Sequence, residues 1–234
     1  MKNQIFRFKQ FSITQEKSAM KIGTDGVLLG AWAEAEDPKY ILDIGSGTGL
    51  IALMLAQRFP NAQITAIEME KNAAEESAMN FSESLFRDRC RAFHTSLQDF
   101  RSEIKFDLIV SNPPFFKLTH PTDTSRNKAR QQSELEFVDL LMHSRRLLSE
   151  SGKCAYIIPF EAENELMVLA EKSALFPMKI TRVKGNPHSE FKRSLMLFSQ
   201  IKNSPMINEL TVELSRGIYT EDYINLTKDF YLKM

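Results

Sequence analysis

From Tyr40 onward the chain repeats one unit, a short apolar run followed by a helical pattern, and a chain built this way can close its core in few ways. Tyr40–Ile44 is a short apolar strand, and Gly49–Arg58 is a helix closed by Phe59-Pro60-Asn61. Gln63–Glu68 and Lys71–Asn80 repeat the pair. Arg91–Thr95 reads as a third strand. Phe106–Val110 reads as a fourth, apolar at nearly every position, as a strand buried on both faces should be. Glu134–Leu148 follows as a helix, with Leu135, Val138, Leu141, Met142 and Leu148 on or near one face. Lys153–Ile158 is a fifth strand ended by Pro159, and Glu161–Ala174 is the next helix. Two more strands fit 178–184 and 194–201 around Gly185-Asn186-Pro187, and a last helix fits Glu221–Tyr231. Ahead of the series, Ile5–Ile13 alternates enough for short strands, and a helix through Val27, Leu28, Leu29 and Trp32 follows Thr24-Asp25, either of which can cap it. The alternation implies an α/β fold with a mostly parallel sheet covered on both faces, in a single domain over 1–234, with 1–35 as an N-terminal extension packed on it.

Asp43-Ile44-Gly45-Ser46-Gly47-Thr48-Gly49 joins the first strand to the first helix of that series. Glycines there allow a tight turn and let a ligand approach the backbone. Glu68 stands at the end of the next strand, where a carboxylate can accept two hydrogen bonds from a ribose diol. The bland alternative is a glycine turn serving only helix–strand packing. The spacing is GxGxG, with Leu50 where a dinucleotide loop has its third glycine, and Asp43 puts a carboxylate just before the turn. A pyrophosphate would be repelled by that carboxylate, whereas the amino group of a methionine moiety, or water bound to it, would be attracted. The candidate cofactor is therefore S-adenosylmethionine (SAM), with Asp43, Gly45, Ser46, Gly47, Gly49 and Glu68 as its candidate contacts.

Ser111-Asn112-Pro113-Pro114-Phe115 follows the fourth strand. Two prolines fix φ, and Pro113 restricts Asn112 in turn. A rigid loop of this kind presents the Asn112 side chain and the Pro113 carbonyl as two acceptors at one point. An exocyclic amine has two donors that fit such a pair, and holding both would aim the nitrogen lone pair at a methyl donor. Phe115 supplies an aromatic plane for a base. Such a site works mainly by positioning and needs no strong general base. Asn112, Pro113, Pro114 and Phe115 are the candidate catalytic set; a proline-rich turn with no chemistry is the alternative.

The formal net charge is zero, but its distribution is uneven. Segments 1–21, 117–130 and 179–193 hold 14 Lys/Arg against 3 Asp/Glu, and the remainder holds 16 against 27. If the three share a face, the molecule has one positive side suited to nucleic acid. The candidates for contact with RNA are Lys9, Lys21, Arg126, Lys128, Arg130, Lys192 and Arg193. Three separate solvated loops explain the same counts. No apolar run approaches the length of a membrane span, the N-terminus lacks the h-region of a signal peptide, and Cys90 and Cys154 read as reduced thiols of a cytoplasmic protein. His94, His120, His143 and His188 form no metal-ligand pattern, so no metal is expected.

The glycine loop resembles motif I of the class I SAM-dependent methyltransferases, and the Asn-Pro-Pro-Phe segment resembles the (D/N)PP(Y/F) motif of enzymes that methylate adenine N6, guanine N2 or glutamine N5. Phe8-Lys9-Gln10-Phe11, the block Met20–Trp32, Ser111–Phe116 and Phe230-Tyr231-Leu232 resemble the bacterial tRNA(Val) adenosine-37 N6-methyltransferase family nearly end to end. That resemblance implies a Rossmann-like fold with a mixed seven-stranded sheet of order 3-2-1-4-5-7-6, the last strand antiparallel. It also implies SAM as cofactor, an adenine in a tRNA anticodon stem-loop as substrate and no obligate protein partner. Thr24, within the N-terminal block, joins the candidate cofactor contacts. The superfamily often places an Asp after the third strand, against the SAM adenine; Ser96 stands there, leaving Asp99 as the candidate. Methylation of guanine N2 in ribosomal RNA or of a protein glutamine, and a non-catalytic scaffold, remain the alternatives.

Overall fold

A computed structural model describes residues 5–16, 21–113 and 136–233. Its centre is an eight-stranded sheet made of β3 (Tyr40–Ile44), β4 (Gln63–Glu68), β5 (Cys90–His94), β6 (Phe106–Ser111), β7 (Leu148–Pro159), β8 (Phe176–Lys184), β9 (Phe191–Ser199) and β10 (Met206–Thr211). Read across the sheet the order is β5-β4-β3-β6-β7-β9-β8-β10. The seven expected strands thus take the expected order, and β9 runs antiparallel to both β7 and β8. The eighth strand was not expected: β10 adds to the edge, parallel to β8. Its sequence hides it because only Leu210 is buried while Met206 and Ile207 are exposed, so no period-two pattern survives.

Strict alternation within the strands splits the core into two layers. Ile41, Leu108, Val110, Ala155 and Ile157 point to the cluster under helices α1 (Thr24–Trp32) and α2 (Leu50–Arg58). Leu42, Ile109, Cys154, Tyr156 and Ile158 point to the cluster under α4 (136–147) and α5 (Glu163–Lys172). Phe106, Leu108, Ile109 and Val110 of β6 are therefore all apolar, since both faces of the strand are covered. The burial of α4 corrects the expected face. Phe137, Leu140, Leu141, Ser144 and Leu147 are buried, at i, i+3, i+4, i+7 and i+10, whereas Val138 and Met142 are exposed and Leu148 already begins β7.

Other boundaries move for local reasons. Gly23 is the N-cap of α1 and no side chain caps it; Thr24 and Asp25 lie inside the first turn, and the Asp25 carboxylate accepts from Arg193 Nε at 2.8 Å. Helix α3 spans Lys71–Ser82, capped by the Glu70 side chain on the N–H groups of Asn72 and Ala73. After α5, Ala174 adopts a left-handed φ of 53° and ends the helical run. Helix α6 (Glu221–Thr227) stops short of Tyr231 because the following backbone joins the N-terminal hairpin formed by β1 (Ile5–Arg7) and β2 (Ser12–Thr14): Lys9 N–H donates to Phe230 O at 2.8 Å. A small hairpin of β11 (Glu213–Ser215) and β12 (Ile218–Tyr219) precedes α6. Among the described residues no helix is long and apolar enough to cross a membrane.

Candidate active site

The strand order reverses between β4 and β6, on either side of β3, and a crevice opens at the carboxyl ends of the strands at such a point. Ile44, the last residue of β3, pairs with Ser111, the last of β6, and Ser111 Oγ donates to Ile44 O at 2.9 Å. The next residues of the two strands are Gly45 and Asn112. The glycine loop and the Asn-Pro turn, 67 residues apart in the chain, therefore leave the sheet side by side. Asn112 and Pro113 are half-buried. Pro114 and Phe115 lie outside the described residues, as do Arg126, Lys128 and Arg130.

The N–H groups of Gly45 and Ser46 both donate to Ile67 O, at 2.9 and 3.1 Å, and Gly49 N–H donates to Ser46 O at 2.8 Å. The three glycines hold φ of 70°, 53° and 82° for Gly45, Gly47 and Gly49, yet they do different work. A Cβ on Gly49 would stand 2.5 Å from Phe81 Cε1 and 2.8 Å from Ser77 Oγ, so Gly49 lets the loop pack on α3. A Cβ on Gly45 or Gly47 would meet nothing within 4 Å. Those two form the open floor on which a ligand can lie against bare backbone.

Two carboxylates flank that floor. Glu68 Oε2 accepts from Gly47 N–H at 3.0 Å and Oε1 accepts from Glu70 N–H at 2.9 Å. Each oxygen keeps an acceptor site, which is what a ribose diol needs. Asp43 is fully buried; its Oδ2 accepts from Ala52 N–H at 3.1 Å, inside the first turn of α2, and its Oδ1 has no partner. Burial pushes the Asp43 carboxyl up to about 7, the Ala52 hydrogen bond opposes this, and the negative charge of Glu68 adds to it. Ser46 Oγ is a second buried group without a partner. Bare backbone, an accepting carboxylate at a strand end and two unsatisfied polar atoms fit a ligand bearing a ribose and an ammonium group, as SAM does.

Past β5, Ser96 Oγ donates to Asp99 Oδ2 at 2.6 Å and accepts from Asp99 N–H at 3.1 Å, so the two candidates for the adenine contact form one unit. Thr95 N–H donates to Glu68 O at 2.9 Å and ties this turn to the site. Thr24 is exposed at the start of α1, two residues before Gly26, whose place against Leu50 brings that end beside the glycine loop.

The sequence reading missed two residues here. Met69, directly after Glu68, is 75% exposed, a large apolar side chain held at the mouth of the site. Asn80 is buried, and its Nδ2 donates to both Thr14 O and Thr48 O at 2.9 Å while Oδ1 accepts from Thr14 N–H at 2.9 Å. It clamps the N-terminal hairpin to the glycine loop. A polar residue on the otherwise buried face of α3 was the available signal.

The basic candidates divide. Lys9 Nζ donates to Lys228 O, and Lys21 Nζ donates to Gln15 O. Arg193 pairs with Pro159 at the carboxyl edge of the sheet, so the start of β9 does rim the site. Yet the positive excess of 179–193 is mostly neutralised: Lys179 pairs with Glu34, Arg182 with buried Glu163, Lys184 with Glu209 and Arg193 with Asp25. Lys192 is exposed.

This is the architecture of a class I methyltransferase, and SAM is the cofactor that its loop and acidic strand ends suit. The methyltransferase small domain model matches residues 18–158. A tRNA1(Val) (adenine(37)-N6)-methyltransferase of Flavobacterium johnsoniae is 51% identical over 235 residues, 98% of this chain and 100% of the relative. A protein of the same name from Christiangramia forsetii is 50% identical, with 100% of both chains covered. The chain belongs to the tRNA1(Val) (adenine(37)-N6)-methyltransferase family. Among solved structures, a predicted O-methyltransferase of Agrobacterium tumefaciens superposes with a TM-score of 0.68 at 17% identity, over 88% of this chain and 96% of that one. A methyltransferase of Pyrococcus furiosus gives 0.59 at 22% identity, over 81% and 90%. At such identities these two share the fold.

Proposed function

We propose that this chain, folded as one domain with residues 1–35 packed on it, methylates the N6 amine of adenine 37 in the anticodon loop of tRNA(Val), in the cytoplasm. The observation that carries the reading is the Ile44–Ser111 pair, which sets Asn112 beside the open floor of the glycine loop in a chain half identical to curated enzymes of that name. In this reading Glu68 accepts from the ribose hydroxyls, Asp43 attracts the ammonium group, and Met69 offers an apolar surface to the adenine of the cofactor. Bound SAM supplies an electrophilic methyl group. The Asn112 amide oxygen and the Pro113 carbonyl accept the two N–H groups of the target amine, fixing its lone pair along the attack line, and Phe115 stacks on the base. The amine becomes acidic as it is methylated and releases a proton to water. A loop adenine is already partly unstacked, which lowers the cost of drawing it in.

Incubating the protein with labelled SAM and unmodified tRNA, followed by mass spectrometry of nucleosides and mapping of the product, tests this. N6-methyladenine beside the anticodon is expected. Methylguanine, or label confined to protein, would replace the reading by guanine N2 or glutamine methylation.

A further inference from the structure

The connection from β5 to β6, residues 95–105, contains turns and bends but no helix, so one face of the sheet over β4 and β5 is left open. A groove of about 570 Å³ lies there, reaching from His94 and Thr95, beside the cofactor site, to Tyr40 and Gln63 at the opposite strand ends. A six-residue strand spans roughly 20 Å, so the groove leads well away from the reacting centre. Edge strand β5 contributes Arg91 and Phe93 to it; Arg89, Arg101 and Tyr40 complete the lining that matters. Phe93 is 46% exposed and Tyr40 36%, unusual for aromatic rings on a sheet face.

Charge distinguishes this surface from the segment at 179–193. Arg89 donates to the carbonyl oxygens of Ala56, Phe59 and Ala62, and Arg101 to those of Gln98 and Phe100. Neither these two nor Arg91 forms a carboxylate ion pair among the described residues. One carboxylate, Asp99, lines the groove, and it accepts from the Ser96 hydroxyl. Three arginines and two exposed rings in one channel match what single-stranded nucleic acid requires: cations along the phosphates and planes on which bases stack.

We propose that this groove is a second RNA contact, holding unpaired nucleotides of the substrate at a distance from the target base. The proposal rests on the reading that the substrate is RNA, and its test separates the two. Full-length protein is titrated with a labelled short oligouridylate and with an unmodified tRNA transcript, at several salt concentrations. Arg91→Gln with Arg101→Gln should weaken both complexes and flatten the dependence of log K on log salt by about 0.7 for each arginine removed. Phe93→Ala should weaken binding roughly five- to 150-fold, and Phe93→Tyr should restore it. SAM affinity and the thermal unfolding midpoint should stay at wild-type values, which separates a lost contact from a damaged fold. Wild-type RNA affinity and salt slope in these variants would overturn the proposal, as would equal arginine and Phe93 dependence for a polyglutamate peptide with none for oligouridylate. If tRNA yields no N6-methyladenine while the oligouridylate effects persist, the groove stands and the assigned substrate falls.

Discussion

Asp43 shows how a single residue carries two demands. Its Oδ2 holds the first turn of α2 through Ala52, while its unpartnered Oδ1 pays the cost of burial in a raised carboxyl pKa. Between the ordinary value of 3.8 and about 7 the folded chain keeps this proton and the unfolded chain has lost it. Stability therefore falls as pH rises through that window, by up to about 4 kcal/mol in total. Asp43→Asn keeps an acceptor for Ala52 and removes the titration. Urea unfolding from pH 5 to 8 without cofactor should show the wild type losing stability relative to this variant, and parallel curves would disprove the shift. Asn112 is the chemical counterpart. Asn112→Ala should leave SAM affinity intact and lower the single-turnover rate about 100-fold, since only orientation is lost. A near-normal rate would remove Asn112 from the proposed site.

At the level of elements, the loop between β3 and α2 contains glycines that differ in what they face. Gly49→Ala would force a Cβ at positive φ into the Phe81 ring and Ser77, at a cost of about 2–4 kcal/mol. Gly45→Ala meets only the backbone strain, about 1 kcal/mol, but places a methyl group on the floor where the cofactor would lie. Urea denaturation and calorimetry with SAM should therefore separate the two: Gly49→Ala loses mainly stability, Gly45→Ala mainly affinity. The motif itself, its place between a strand and a helix and the partner carboxylate at Glu68 were all legible in the sequence. The division of labour among the glycines was not, because it depends on where α3 packs. Helix α4 makes the same point, since the choice between Val138 and Phe137 as the buried residue lies in the rotation of the helix about its axis.

The two ends of the chain close the molecule as a whole. Phe8 is buried, stacked on Phe11 at 4.8 Å and 5.8 Å from the Tyr231 ring, while Lys9 N–H bonds Phe230 O. Through Thr14 and Asn80 the same hairpin reaches Thr48 in the glycine loop. Phe8→Ala should cost about 3–5 kcal/mol. Hydrogen exchange should then rise together in residues 5–14 and in the last helix, and SAM should bind more weakly although Phe8 is remote from it. Faster exchange at one end alone would show that the termini are not coupled.

The sequence by itself determined the strand–helix series, the order of the seven strands that its family resemblance implied, and the two loops that meet at the carboxyl edge. The series and the loops follow from local periodicity and from residue types with narrow backbone preferences, both of which are short-range properties, whereas the strand order is what the resemblance implied. Tertiary structure decided what depends on distant neighbours. It turned Asp25 from a helix cap into the partner of Arg193, gave Arg182, Lys179 and Lys184 to Glu163, Glu34 and Glu209, and added the half-exposed strand β10 to the edge. It also left Arg91 and Phe93 facing an open groove. A charge counted along the chain says nothing of its partner, because Coulomb energy and desolvation are set by separation in space.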